Sequence, residues 1–357
     1  MHMADALISP EVGGVMWAVS GGTIIYCSRK VNKTLDDFKV PLMGVMGAFI
    51  FAAQMINFTI PGTGSSGHIC GSILLSVLLG PYAAIIVIAS VLLVQALIFA
   101  DGGLLALGCN IFNMGIVPAL IAYPLIYRTT AGKTQDSFRL WWGAVAASVI
   151  GLQLGAFSVV METWSSGVSA LPFKNFLILM LPIHLAIGFI EGLITASVLT
   201  LIRDTRPELV TASILSKKTV TKTHLPAGNS PPIKWLLITM SIAALLTGGV
   251  LSWFASENPD GLEWATNKIT GGQALTTQGN ALYAGAENLQ KKSSILPDYG
   301  FRNEATAEAS DTQWGRLNPG TTVAGVSGTI ITLILTILLG LTLKCKFNNS
   351  EREQQKA

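Results

Sequence analysis

Eight apolar runs in this chain are each about as long as a bilayer's hydrocarbon core is thick, and they dictate what it can fold into. They fall near residues 11–28, 40–57, 81–100, 102–127, 140–162, 175–202, 233–254 and 323–344. About 20 helical residues cross the core. Inside it every backbone N–H and C=O must be satisfied within the protein, which leaves helices for segments of this kind. The expected fold class is therefore all-α, a polytopic transmembrane helical bundle. Half the residues are hydrophobic and only 12% are charged, with a mean hydropathy of +0.55; a soluble domain is excluded. A shorter run at 68–80 is either a tilted short span or a re-entrant helix.

The Lys and Arg residues give the orientation. Segments 29–39, 128–139, 203–234 and 344–357 hold 17 of the 23. They share one side if the N-terminus faces out and 68–100 enters and leaves as a pair; the basic side is cytoplasmic. Residues 1–10 lack the basic start and small-residue cleavage site of a signal peptide, so the amine at Met1 is expected to stay free. Three units follow: a membrane bundle over 1–202, a polar cytoplasmic linker over 203–232, and 233–357, with two spans around an extracytoplasmic segment at 255–322. That segment carries eight acidic and five basic side chains, and its composition fits a small ordered domain as well as a loop. Gly44, Ala48 and Ala52 form a small-residue stripe on the second span, suited to close helix packing within the bundle or to a partner membrane subunit. The absence of GxxxxGK[ST] excludes ATP binding through a P-loop. Cys27, Cys70, Cys109 and Cys345 have no CxxC spacing. No nucleophile elbow or HExxH is present, so the chain does not read as an enzyme, and nothing points to nucleic acid.

Chemistry concentrates at the outer face. A free amine followed by His is a chelator: the Met1 amine, the His2 amide nitrogen and His2 Nδ1 close fused five- and six-membered rings around one ion. Such a nearly planar set suits Ni²⁺ rather than tetrahedral Zn²⁺. The Gly/Pro/Ser-rich loop from Asn57 to Ser66 returns the chain to His68 on the same side, whose imidazole is either the fourth nitrogen or a loop histidine bonded to backbone. Imidazoles on a metal commonly give their second N–H to an amide or carboxylate. Asn57, Ser66, Gln95, Asp101 and Asn110 lie at the right depth for such support. Asp101 reads equally as an N-cap and Asn110 as a helix–helix hydrogen bonder. His184 and Glu191, two turns apart on one helix face, either brace the site from a third helix or pack against each other.

The start MHMADALISP, the blocks GTGSSGHICGSILLSVLLGPYAA and LIFADGGLLALGCNIFNMG, and the later PIHLAIGFIEGLITASVL resemble the substrate-capture subunits of nickel and cobalt transporters of the energy-coupling factor (ECF) type. Pro259-Asp260-Gly261-Leu262-Glu263-Trp264-Ala265 is similar to the signature of that family's two-span accessory subunit, here joined to the capture subunit in one chain. The resemblance implies about seven helices in the first unit and a metal site on Met1, His2 and His68. It also implies a transmembrane coupling (T) subunit and cytoplasmic ATPase (A) subunits as partners in a bacterial or archaeal inner membrane. No cofactor is implied; Ni²⁺ or Co²⁺ is the cargo. Fusion of the two parts is more typical of nickel systems, so nickel is favoured. A cobalt importer subunit and a stand-alone secondary carrier are the rival expectations.

Overall fold

The protein is described by a computed structural model covering residues 1–32, 35, 38–131, 136–214, 233–273, 275, 280–302 and 319–354. The greater part of the expected linker, 215–232, and the stretch 303–318 lie outside the described residues. Helices account for nearly all the regular structure, so the chain is all-α apart from one two-stranded hairpin.

The long apolar runs become helices for the reason given above. These are α1 (Pro10–Asn32), α2 (Lys39–Gln54), α4 (Pro81–Ile98), α5 (Leu107–Ala131), α6 (Ser137–Ser166) and α7 (Phe173–Thr205). Among the described residues five helices, α4 to α7 and the last helix α12 (Pro319–Gln354), are long and apolar enough to cross a membrane; α2 is shorter. In α5, Pro118 and Pro124 donate no amide hydrogen. The helix widens into π-turns over Phe112–Ile116 and Pro118–Tyr127. α7 runs on to Thr205, and a short α8 (Pro207–Ile214) follows where the linker was expected to begin.

The run at 68–80 yields only α3, eight residues from Ser72 to Leu79, or about 12 Å of helix. It is too short to span alone. A non-helical stretch, Ile69–Gly71, precedes it, and α3 packs against α8. Non-helical backbone at this depth survives only when protein satisfies its polar groups, and two buried side chains do so. The Glu191 carboxylate accepts the Cys70 and Gly71 amides, both at 2.9 Å, and Gln54 Nε2 donates to the Cys70 carbonyl at 2.9 Å. Gly71 has φ +82°, and a Cβ there would meet Ile50 Cδ1 at 2.4 Å, so only glycine fits this turn.

The second unit lies against the first. α9 (Ile233–Gly249) and α12 pack on α2, and the small-residue stripe is what lets them in. A Cβ on Gly44 would fall 2.4 Å from Ile337 Cγ1, and Ala48 and Ala52 cluster with Ala244 of α9. The stripe is thus filled from within the chain. Between α9 and α12, α10 (Gly261–Thr270) and α11 (Ala281–Ser293) form an ordered cover over one end of the bundle. Asp260 caps α10 through the Glu263 amide at 2.7 Å, as an N-cap carboxylate does.

Candidate metal centre

The first residues dip back into the bundle instead of trailing away. Met3 is fully buried, and its backbone is clasped by Asn110: the Met3 amide donates to Asn110 Oδ1 at 2.8 Å and Asn110 Nδ2 to the Met3 carbonyl at 3.3 Å. Gly103 N adds a third bond, to the same carbonyl, at 2.9 Å. Residues 1 and 2 are thereby fixed over the junction between α4 and α5. The Met1 amine lies 3.5 Å from His68 Nε2, and the His2 and His68 rings stack with centroids 5.0 Å apart.

The hydrogen-bond network determines which ring nitrogens keep lone pairs. His68 Nδ1 is 3.0 Å from the Ile69 carbonyl; a carbonyl only accepts, so Nδ1 carries the proton and Nε2 offers its lone pair toward the amine. Gln54 Oε1 accepts from Gln95 Nε2 at 2.9 Å, which turns Gln95 Oε1 toward His2 Nε2 at 3.1 Å. His2 Nε2 is then the donor, and Nδ1, the chelating nitrogen, is the one left free of Gln95. Asp101 Oδ1 stands 3.5 Å from that Nδ1. Asp101 does not cap the next helix, whose N-cap is Ala106 without a side-chain cap. Its other oxygen accepts the Tyr299 hydroxyl at 2.6 Å. Burial and the adjacent Asp101 keep that hydroxyl protonated, well above the usual phenol range.

Asp260 is the residue sequence reasoning missed. Its Oδ2 takes the Met1 ammonium at 3.0 Å, tying the accessory unit to the first atom of the chain. Burial alone would raise this carboxyl; the ammonium, the Glu263 amide and His68 together hold it well below the usual carboxylate range. Burial, then the ammonium and His2, push the His68 imidazole down to about 3, so it stands neutral. The signal available in the sequence was the 259–265 block, in which Asp260 stands just ahead of the α10 helix.

Ser66 and Asn57 bind the cover and not the imidazoles. Ser66 Oγ donates to the Asn258 carbonyl at 2.7 Å and its amide to that of Pro259 at 2.8 Å, while the Asn57 carbonyl accepts the Ser256 amide at 2.7 Å. Further along, Asp298 N donates to the Phe99 carbonyl at 2.8 Å, and Tyr299 stacks on Phe99 at 4.9 Å. An open cavity of about 890 Å³ remains between cover and bundle, with His2, His68, Asp101 and Asp260 on its wall. Among the described residues, no group of three or more His, Cys, Asp or Glu side chains is arranged to hold a metal.

A polytopic bundle with a nitrogen-rich tip under an acidic cover defines a membrane transport protein for a transition-metal ion, and comparison with known proteins agrees. Residues 2–209 match the family described as the cobalt uptake substrate-specific transmembrane region, and 234–345 match the PDGLE domain. A putative fused nickel transport protein of Archaeoglobus fulgidus is 30% identical over 95% of this chain and 98% of its own length. A putative metal transport protein of Haloquadratum walsbyi is 38% identical over 59% of this chain and 93% of its own. The crystal structure of a truncated transition metal transporter superposes with a TM-score of 0.51 at 31% identity, covering 57% of this chain and 99% of that one. The chain belongs to the cobalt-uptake substrate-specific transmembrane family and carries a PDGLE domain in the same polypeptide. Its relatives are named as transport proteins, and it is a transporter subunit, not an enzyme.

Proposed function

We propose that this chain is the metal-capturing subunit of an ECF-type importer and that nickel is its cargo. The observation that carries the reading is the convergence of the Met1 amine, His2 and His68 Nε2, with a hydrogen-bond network that leaves a lone pair on each ligating ring nitrogen. The Met1 amine, the His2 amide nitrogen, His2 Nδ1 and His68 Nε2 then make a four-nitrogen plane of the kind a d8 ion favours. To close it the amine gives up its proton and its bond to Asp260, and the His2 ring turns from Asp101. Gln95, Asp101 and Asn110 support the ligands, while Asn57 and Ser66 act by holding the cover.

Relatives aligned over nearly their whole length, from Archaeoglobus fulgidus and Rhodobacter capsulatus, are named fused nickel transport proteins, which favours nickel over cobalt. Cobalt remains the second reading, since a cobalt transport protein of Sorangium cellulosum is 30% identical over 49% of this chain. The Lys and Arg distribution supports an extracytoplasmic tip and a cytoplasmic C-terminus in the cell's inner membrane. With no P-loop in the sequence, inward release is assigned to a T subunit and ATPase subunits. The units are a capture bundle over 1–202, a linker, and an accessory unit over 233–357 that covers the loaded tip.

The test is one residue added ahead of Met1 with His2 intact. It moves the amine out of ring-closing reach, and the planar nickel absorption is expected to vanish with at least a hundredfold loss of affinity. Planar nickel binding at full affinity in the extended protein refutes the chelate.

A further inference from the structure

Beside the tip is a second, much smaller cavity that the capture site does not use. Its volume is about 10 Å³ and its wall includes Met1, His68, Cys70, His184 and Asp260. This is room for about one water-sized particle. His68 and Asp260 also line the open cavity above, so they stand between the outside and this inner space.

His184 is 1% exposed, in the upper half of α7. Its Nδ1 lies 2.8 Å from the Met180 carbonyl, one turn back. As with His68, the carbonyl fixes the proton on Nδ1 and leaves the lone pair on Nε2. That Nε2 is buried and has no hydrogen-bond partner among the described residues. Leaving a buried polar atom unmatched costs about 1–3 kcal/mol, and an ionisable side chain inside a membrane bundle marks a functional site by default. Packing does not demand it, because an apolar side chain of similar volume would remove the penalty. The cover lies close over the ring: a Cβ on Gly261 would fall 3.1 Å from His184 Cε1. Two imidazoles thus line one small space, each with its Nδ1 proton anchored on a main-chain carbonyl; His68 turns its Nε2 lone pair toward the Met1 amine, and His184 Nε2 has no partner among the described residues.

We infer that His68 and His184 form an inner transit site for the divalent transition-metal ion, entered when the ion leaves the terminal chelate. His68 serves both positions and hands the ion from the planar nitrogen set to His184. This inference rests on the terminal-chelate reading only for the direction of travel; the inner ligands stand on their own geometry.

The experiment uses the full chain with one residue added ahead of Met1, which disables the chelate, and Co²⁺ as the probe, since its visible spectrum reports coordination geometry. The extended protein is expected to bind Co²⁺ in a non-planar, four-coordinate environment. His184→Gln in that background should weaken binding at least tenfold, and His184→Cys should bring a sulfur-to-cobalt charge-transfer band absent from its parent. Unchanged Co²⁺ affinity in a folded His184→Gln protein overturns the assignment, as does a His184→Cys protein without the band. If His184→Gln does not fold, as read from its melting temperature, the cysteine band decides. With the natural terminus, His184→Gln should keep the planar nickel spectrum; its loss there would put His184 in the outer site and overturn the inner one. Planar nickel binding by the extended parent would sink the chelate instead and leave the cobalt result standing.

Discussion

Glu191 supports the site without touching it, and Glu191→Gln isolates that role. Both carboxylate oxygens accept main-chain amides at 2.9 Å, from Cys70 and Gly71, immediately after His68. Hydrogen bonds to a charged group contribute about 1.5–3 kcal/mol each. Glutamine keeps one acceptor but turns an NH₂ toward the other amide. One bond is lost, one loses its charge assistance, and one buried N–H is left unmatched. The sum is about 3–4 kcal/mol, a large share of the about 5–15 kcal/mol that holds a typical domain. At about 2–4 °C per kcal/mol for a large domain, the melting temperature should fall by about 6–16 °C. The released turn also lets His68 leave the amine, and apparent nickel affinity falls in proportion to the fraction of molecules still competent to bind; a tenfold loss is expected. Thermal unfolding in detergent at one scan rate, paired with a nickel titration, measures both. A variant that melts within about a degree of the parent and binds nickel equally well refutes the argument that Glu191 braces this turn.

Two other outcomes follow from the same geometry. His68 is held at about 3 in the folded protein against an ordinary 6.5, so between those values the unfolded chain binds the extra proton. Ion-free stability should therefore decline as pH falls from about 6.5 toward 3, by up to about 1.4 kcal/mol per unit. Asp260, depressed from 3.8, adds its own loss only below that value. Melting temperatures from pH 7 to 4 check this, and a slope that His68→Gln leaves unaltered counts against it. Tyr299→Phe keeps the stack on Phe99 but removes the bond to Asp101; freed from that hold, Asp101 should steer His2 less well. Nickel affinity is expected to drop about fivefold to tenfold by titration, and an unchanged value would make the orientation of Asp101 immaterial.

The long helices were legible because an unbroken apolar run of membrane length has few other ways to satisfy its backbone; α4 to α7 and α12 all follow from that. The stretch 68–80 was not, because the turn before α3 is held by Glu191, 121 residues beyond Cys70, and by Gln54. The first residues of the expected 203–232 linker are helical, since α7 continues through Arg203 to Thr205 ahead of Pro207. Within the site, Met1, His2 and His68 were named from ligand chemistry, and the structure brings the Met1 amine and the two imidazoles together. Asp260 and Tyr299 were not, for their roles arise only when the cover docks on the end of α4. Asp101 offered two local readings, and the choice depended on Ala106 beginning the next helix. The small-residue stripe announced close packing correctly but not with what, as glycine records the distance of a neighbour and not its identity.

The Asp260–Met1 contact has a consequence for which ions the tip accepts. In the ion-free state that carboxylate faces one positive charge, the ammonium. On the proposed reading a divalent ion enters, the amine loses one proton and the His2 amide another, so Asp260 again faces a net charge of +1. The exchange is isoelectric, and the counter-ion need not move or be neutralised. A divalent ion too weakly polarising to ionise an amide would leave the site with +2 against the same single carboxylate, and a monovalent ion that displaced both protons would leave it neutral. A fixed counter-charge on the cover thus turns the acidity of one peptide N–H into a criterion of valence and metal type.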